Sequence, residues 1–160
     1  MGLRFPAQTF GTCFFVTTTF RNWRDIGQIA GFYEALAESI QFSTKKYSAL
    51  VLGYVLMPTH IHLVLVIDGK ALSDFMRDFK KFTAQKVAQD LNLGSGGIWM
   101  PRYDRVVIYN EDILRVKLNY IHYNLVKSGL VEKPEDWKWS SAGDYILNKT
   151  GIIPVWMDWG

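Results

Sequence analysis

The sequence predicts an α+β fold: a ferredoxin-like antiparallel sheet (split βαβ) with helices on one face, plus an extra C-terminal helix carrying Tyr120. Three observations point there. Strand-like and helix-like segments follow in the order strand, helix, strand, strand, helix, strand, helix. The two middle strands are joined by a three-residue link, short enough for an antiparallel hairpin. The last helix stands outside the strand–helix unit and bears a polar face beside its apolar one.

Residues 12–20 combine Phe, Val and Thr, the β-branched and aromatic mixture that suits a pleated surface. A polar turn region at 21–27 leads to a helix at 28–42, with Ile29, Phe32, Tyr33, Leu36 and Ile40 at helical spacing. Strands at 47–57 and 60–67 flank Met57-Pro58-Thr59, and Gly69 ends the second of them. Ser73 is placed to cap a helix reaching Leu91, whose apolar side is Phe75, Met76, Phe79, Phe82, Ala84 and Val87. A glycine-rich breaker occupies 92–97, and Trp99-Met100-Pro101 leads into a fourth strand at 103–109. The final helix spans 111–127, with Glu111 and Asp112 at its positive end and Gly129 as its stop. Residues 131–160 hold Trp137, Trp139, Trp156 and Trp159 with little periodicity, and read as a tail laid over the domain formed by 1–130.

A chain of 160 residues fits one domain with a substantial core. No apolar stretch approaches the roughly 18 to 20 residues that span a bilayer, so no membrane role is expected. The start, Met-Gly-Leu-Arg-Phe-Pro-Ala-Gln, lacks a secretory core and does not fit the myristoylation pattern. The single cysteine, Cys13, reads as a small apolar filler and fits a reducing cytoplasm. A net charge of +3 permits a polyanionic partner without requiring one. The cations cluster: Arg77, Lys80, Lys81 and Lys86 in one helix, Lys117 and Lys127 in another.

Chemistry concentrates at His60 and His62, which Ile61 separates. Residues two apart in a strand share a face, so the two imidazoles project together while Ile61 enters the other layer. Such a pair offers a metal ion two neutral nitrogens from a stiff backbone. In the last helix Tyr120, Asn124 and Lys127 share one side, offset from Leu114, Leu118, Ile121 and Leu125. A phenol is a competent covalent nucleophile once its proton is removed or its charge balanced. His122 is turned roughly 200° from Tyr120 and falls outside this group.

Met57-Pro58-Thr59-His60-Ile61-His62-Leu63 resembles the His-hydrophobic-His signature of the HUH single-tyrosine transposases. The stretch from Tyr120-Ile121-His122-Tyr123-Asn124 to Val131 resembles the tyrosine helix of their REP-associated branch. Residues 99–107 and Pro134-Glu135-Asp136-Trp137-Lys138-Trp139-Ser140-Ser141 are similar to further segments of that branch. Thr59 stands where the family usually has asparagine, and Leu125 where it usually has proline; losing the proline favours a continuous helix. The resemblance implies cleavage and rejoining of single-stranded DNA at or near hairpins through a 5′-phosphotyrosine on Tyr120. It implies a divalent ion, Mg²⁺ or Mn²⁺, held by His60, His62 and Asn124. Arg77, Lys80, Lys81, Arg102, Arg105 and Lys127 are the candidate DNA contacts, with Trp99 and Tyr103 as possible base platforms. Two alternatives stay open: a catalytically idle hairpin-binding protein, and a replication-initiator-type nickase. Both a monomer and a homodimer are compatible with the sequence.

Overall fold

Alternation decides which side of the sheet each strand residue serves, and the alternation here is apolar on both sides. In the computed structural model, which describes residues 12–23, 25, 29–91 and 97–159, the strands are β1 (Cys13–Phe20), β2 (Leu50–Leu56), β3 (His60–Val66) and β4 (Trp99–Val107). The α-helices are α1 (Phe32–Lys46), α2 (Leu72–Leu91), α3 (Glu111–Lys127) and α4 (Ala142–Leu147), with short 3₁₀ turns at Arg21–Trp23 and Pro134–Asp136. The strands lie in the order β2-β3-β1-β4 with every neighbouring pair antiparallel, the ferredoxin-like arrangement the sequence predicts.

Ile61, Leu63 and Leu65 of β3, with Val16 of β1 and Tyr54 and Leu56 of β2, face α1 and α2. Val64 and Val66, with Phe15, Leu52 and Val55, face Leu114, Leu118, Ile121 and Leu125 of α3. The sheet is therefore covered on both faces. Burial of a whole aliphatic or aromatic side chain contributes about 1.5–3 kcal/mol, and both layers are built from such residues. Helix α3 approaches β2 closely at Gly53, where a Cβ would come within 2.4 Å of the Leu118 Cδ2 atom.

Boundaries differ from the sequence reading in instructive ways. Helix α1 begins four residues later than expected, after Gly31 in the left-handed region at φ 84°. Ser73 lies inside α2 instead of capping it, and its hydroxyl is 3.4 Å from that of Tyr103. Strand β4 starts at Trp99 and runs through Pro101, which an outer strand tolerates because one edge needs no donor. Helix α3 has the expected bounds; its N-cap is Asn110, whose side chain accepts from the Ile113 amide at 2.9 Å. Gly129 follows it at φ 78°, a conformation that suits glycine at a helix stop. The predicted breaker at 92–97 lies, apart from Gly97, outside the described residues, as do residues 24 and 26–28 of the predicted first turn and helix start.

The chain beyond α3 runs along β2, the outer strand at the edge opposite β4. Leu56 N–H donates to the Trp139 carbonyl at 2.8 Å, Ser141 N–H to Tyr54 at 2.9 Å and Trp156 N–H to Val51 at 2.8 Å. These bonds occupy an edge that would otherwise present unpaired backbone groups. Trp159 joins the α3-side core and Ile153 the other. Among the described residues no helix is long and apolar enough to cross a membrane.

Candidate active site

The hairpin and α3 build the site between them. Met57 N–H donates to the His60 carbonyl at 2.9 Å, closing the turn that starts β3. Alternation then sends His60 and His62 to the α3 side, their ring centroids 4.8 Å apart. Tyr120 comes from α3, and its ring lies 5.7 Å from that of His62. Phe15 of β1 completes the packing: it stacks on His62 at 5.1 Å and meets Tyr120 edge-on at 6.2 Å. Half of the Tyr120 side chain stays exposed, while His62 is 5 % exposed.

Burial keeps both imidazoles neutral. It pushes the pKa of His62 down to about 3, assisted by the repulsion a second imidazolium at His60 would exert and by the Lys117 ammonium, and lowers that of His60 as well. Thr17 Oγ1 sits 2.8 Å from His62 Nδ1, and Thr59 Oγ1 lies 3.0 Å from His60 Nδ1. When Nδ1–H donates to Thr17, the lone pair of His62 falls on Nε2. That atom is buried and has no hydrogen-bond partner among the described residues. A desolvated nitrogen acceptor with its other ring nitrogen oriented by a hydroxyl has the donor chemistry of a metal ligand. Asn124 donates from Nδ2 to the Met57 sulfur at 3.4 Å, which leaves Oδ1 as the atom to offer beside the hairpin.

His122 falls on the opposite side of α3, as its spacing requires. It is buried, with Nε2 2.7 Å from Ser141 Oγ, and desolvation brings its pKa down to about 4. That contact ties the back of the helix to β2, because Ser141 Oγ also accepts from the Tyr54 amide at 2.9 Å.

The basic candidates are not all at the site. Helix α2 packs on the other face of the sheet, so Arg77, Lys80 and Lys81 belong to the layer away from the histidines. Arg77 is exposed and engaged by Asp74 at 2.9 Å and Asp78 at 3.2 Å. Lys80 donates to the Met100 carbonyl at 2.8 Å, and Lys86 pairs with Glu38 at 2.7 Å. Arg102 and Arg105 are exposed on the outer strand β4. Arg105 is in register with Val16, whose side chain belongs to the α1–α2 layer. Lys127 is exposed in the last turn of α3, about 10 Å along the helix axis from Tyr120. Trp99 is 7 % exposed, with ring centroids 4.9 Å from Phe20 and 5.3 Å from Phe79, and so packs in the core; Tyr103 is half-buried.

Three neighbours of the site escaped the sequence reading: Phe15, Thr17 and Lys117. Lys117 was detectable, since it precedes Tyr120 by one helical turn. Phe15 and Thr17 were not, because local patterning does not say that β1 lies beside β3.

The sequence profile of the family described as "Transposase IS200 like" matches residues 20–124, more than half of the chain, from the last residue of β1 to Asn124. The chain belongs to that family. This transposase is a DNA-processing enzyme. It is 29 % identical over 145 residues to a Haemophilus influenzae protein named as a REP-associated tyrosine transposase, covering 84 % of this chain and 76 % of that one. A solved structure of a REP-associated tyrosine transposase bound to a REP hairpin superposes with a TM-score of 0.74 at 24 % identity, over 98 % of this transposase and 90 % of that chain. A crystal structure of a Deinococcus radiodurans protein named as a transposase gives 0.55 at 14 % identity, over 76 % and 95 % respectively. Both structural likenesses establish the fold.

Proposed function

We propose that this transposase cleaves and rejoins single-stranded DNA at or near hairpins through a 5′-phosphotyrosine intermediate, as in DNA transposition or the processing of REP elements. Tyr120 is the nucleophile. Its Oη bonds to phosphorus as the P–O3′ bond breaks, and the proton lost by the phenol ends on the departing 3′-oxygen. The number of phosphoester bonds is unchanged, so attack by a 3′-hydroxyl reverses the step and joins strands without a nucleotide cofactor. His60, His62 and Asn124 Oδ1 would hold a divalent ion, Mg²⁺ or Mn²⁺, which when bound supplies Lewis-acid neutralisation of the phosphate. The unpartnered Nε2 of His62 and the hydroxyl behind its Nδ1 support that assignment. Phe15 holds the imidazole and the phenol against one ring, limiting the freedom of both before substrate arrives.

The observation that carries the reading is the 5.7 Å approach of Tyr120 to His62 within one chain. It supports a site that one subunit completes by itself, so a monomer suffices for chemistry. The hairpin borne by the structurally similar REP-associated enzyme supports a folded-back strand as substrate. A hairpin oligonucleotide labelled at its 3′ end should become covalently attached, resistant to SDS, when Mn²⁺ or Mg²⁺ is added and not in EDTA. Tyr120→Phe should form no adduct; attachment that persists in that variant removes Tyr120 from the role. His60→Ala should lose cleavage while keeping hairpin affinity, and loss of both together would assign the histidine to folding.

A further inference from the structure

Lys117 precedes Tyr120 by one turn of α3, a rise of about 4.5 Å and a rotation of about 60°. Its Nζ lies 4.9 Å from the centre of the Phe15 ring. That same ring stacks on His62 and meets the edge of Tyr120. Ammonium, imidazole and phenol therefore border one aromatic side chain. Lys46, Arg77 and Lys86 each have a carboxylate. Among the described residues no carboxylate forms an ion pair with Lys117. A cation–π contact contributes only about 0.5–2 kcal/mol, and it does not neutralise the charge. Among the described residues this ammonium beside two neutral imidazoles has no carboxylate partner, and a divalent ion on those imidazoles would repel it. A phosphate between the two cations satisfies both.

We propose that Lys117 is a further catalytic residue, one that leaves the Phe15 ring to hold a non-bridging oxygen of the phosphate attacked by Tyr120. The lysine keeps its proton throughout. Its contribution is charge: negative charge spreads over the equatorial oxygens in the transition state, and a cation already in position stabilises it there more than in the ground state. Phe15 acts as a perch that keeps the long side chain near the reacting centre before substrate arrives. The inference rests on Tyr120 being the nucleophile, and the experiment separates the two.

The assay is single-turnover adduct formation by the full chain on a 3′-labelled hairpin oligonucleotide in Mn²⁺, with hairpin affinity measured in parallel in EDTA. Lys117→Gln should slow adduct formation about 100-fold, the scale expected for removing one preorganised donor, while affinity changes less than about 5-fold. Lys117→Arg, which restores the charge, should return the rate to within about 10-fold of the unmodified protein. Lys117→Met keeps the stem packed on Phe15 and replaces the glutamine variant should that one melt early. An unchanged rate in both neutral variants overturns the proposal and leaves Tyr120 in place. Equal losses of rate and affinity overturn it too, making Lys117 a binding contact only. Absence of any adduct from the unmodified protein removes the parent reading and this inference with it.

Discussion

Acid should weaken this fold through its buried histidines, well above the range where carboxylates protonate. His122 behind α3 and His62 in front of it are both held neutral by desolvation, with pKa values lowered to about 4 and about 3. In the unfolded chain both titrate near the ordinary value of about 6.5. Between those limits the unfolded state binds more protons than the native one, so stability is complete above about pH 6.5 and is lost as pH falls. At pH 5 the native rings are still neutral, whereas protonation favours each unfolded ring by about 2 kcal/mol, from 1.5 pH units at 1.36 kcal/mol each. The two together give about 4 kcal/mol, a large part of a typical stability of about 5–15 kcal/mol. Asp144, whose pKa burial raises, acts in the opposite direction and trims the total. Urea unfolding in EDTA at pH 7.5 and pH 5.0 measures the difference. His122→Gln, which keeps a donor near Ser141, should remove about half of it. A midpoint that does not move with pH, or a pH response identical in the glutamine variant, would refute the assignment of neutral buried imidazoles.

Gly53→Ala should destabilise the protein by about 1–3 kcal/mol, because its Cβ would meet the Leu118 Cδ2 atom at 2.4 Å; a denaturation midpoint equal to that of the unmodified protein would show that α3 shifts at no cost. Thr17→Val removes the hydroxyl behind His62 Nδ1 and should weaken Mn²⁺ binding about 10–100-fold without altering the melting temperature. Calorimetric titration with the metal alone reads this, and unchanged affinity would remove Thr17 as an orienting group. Hairpin affinity should fall steeply with salt, and Arg102→Gln should flatten the slope of log K against log salt by about 0.7–0.9, one phosphate contact. Arg77→Gln should leave the slope in place, since Asp74 and Asp78 already engage that guanidinium; the reverse pattern would return the DNA surface to α2.

Sequence alone determined the elements and the pairings that local chemistry controls. Alternation in β3 put His60 and His62 on one face because the side-chain period of a strand is two. Helical spacing put Tyr120 and Asn124 together and turned His122 away, and the acidic first turn and Gly129 fixed both ends of α3. What local patterning does not encode is which layer each element joins. Helices α2 and α3 are both amphipathic, and nothing in their periodicity says that one packs opposite the other across the sheet. Non-local packing decided that: Gly53 and the apolar α3-side residues of β1, β2 and β3 made a seat for α3, and placed its tyrosine against His62. The same packing left the cations of α2 on the far face. It also brought Phe15 and Thr17 to the site from a neighbouring strand, beside Lys117 from the preceding turn of α3. Phe15 and Thr17 were invisible because strand order is a property of the folded sheet and of no single segment, whereas Lys117 shares α3 with Tyr120 and was legible from its spacing.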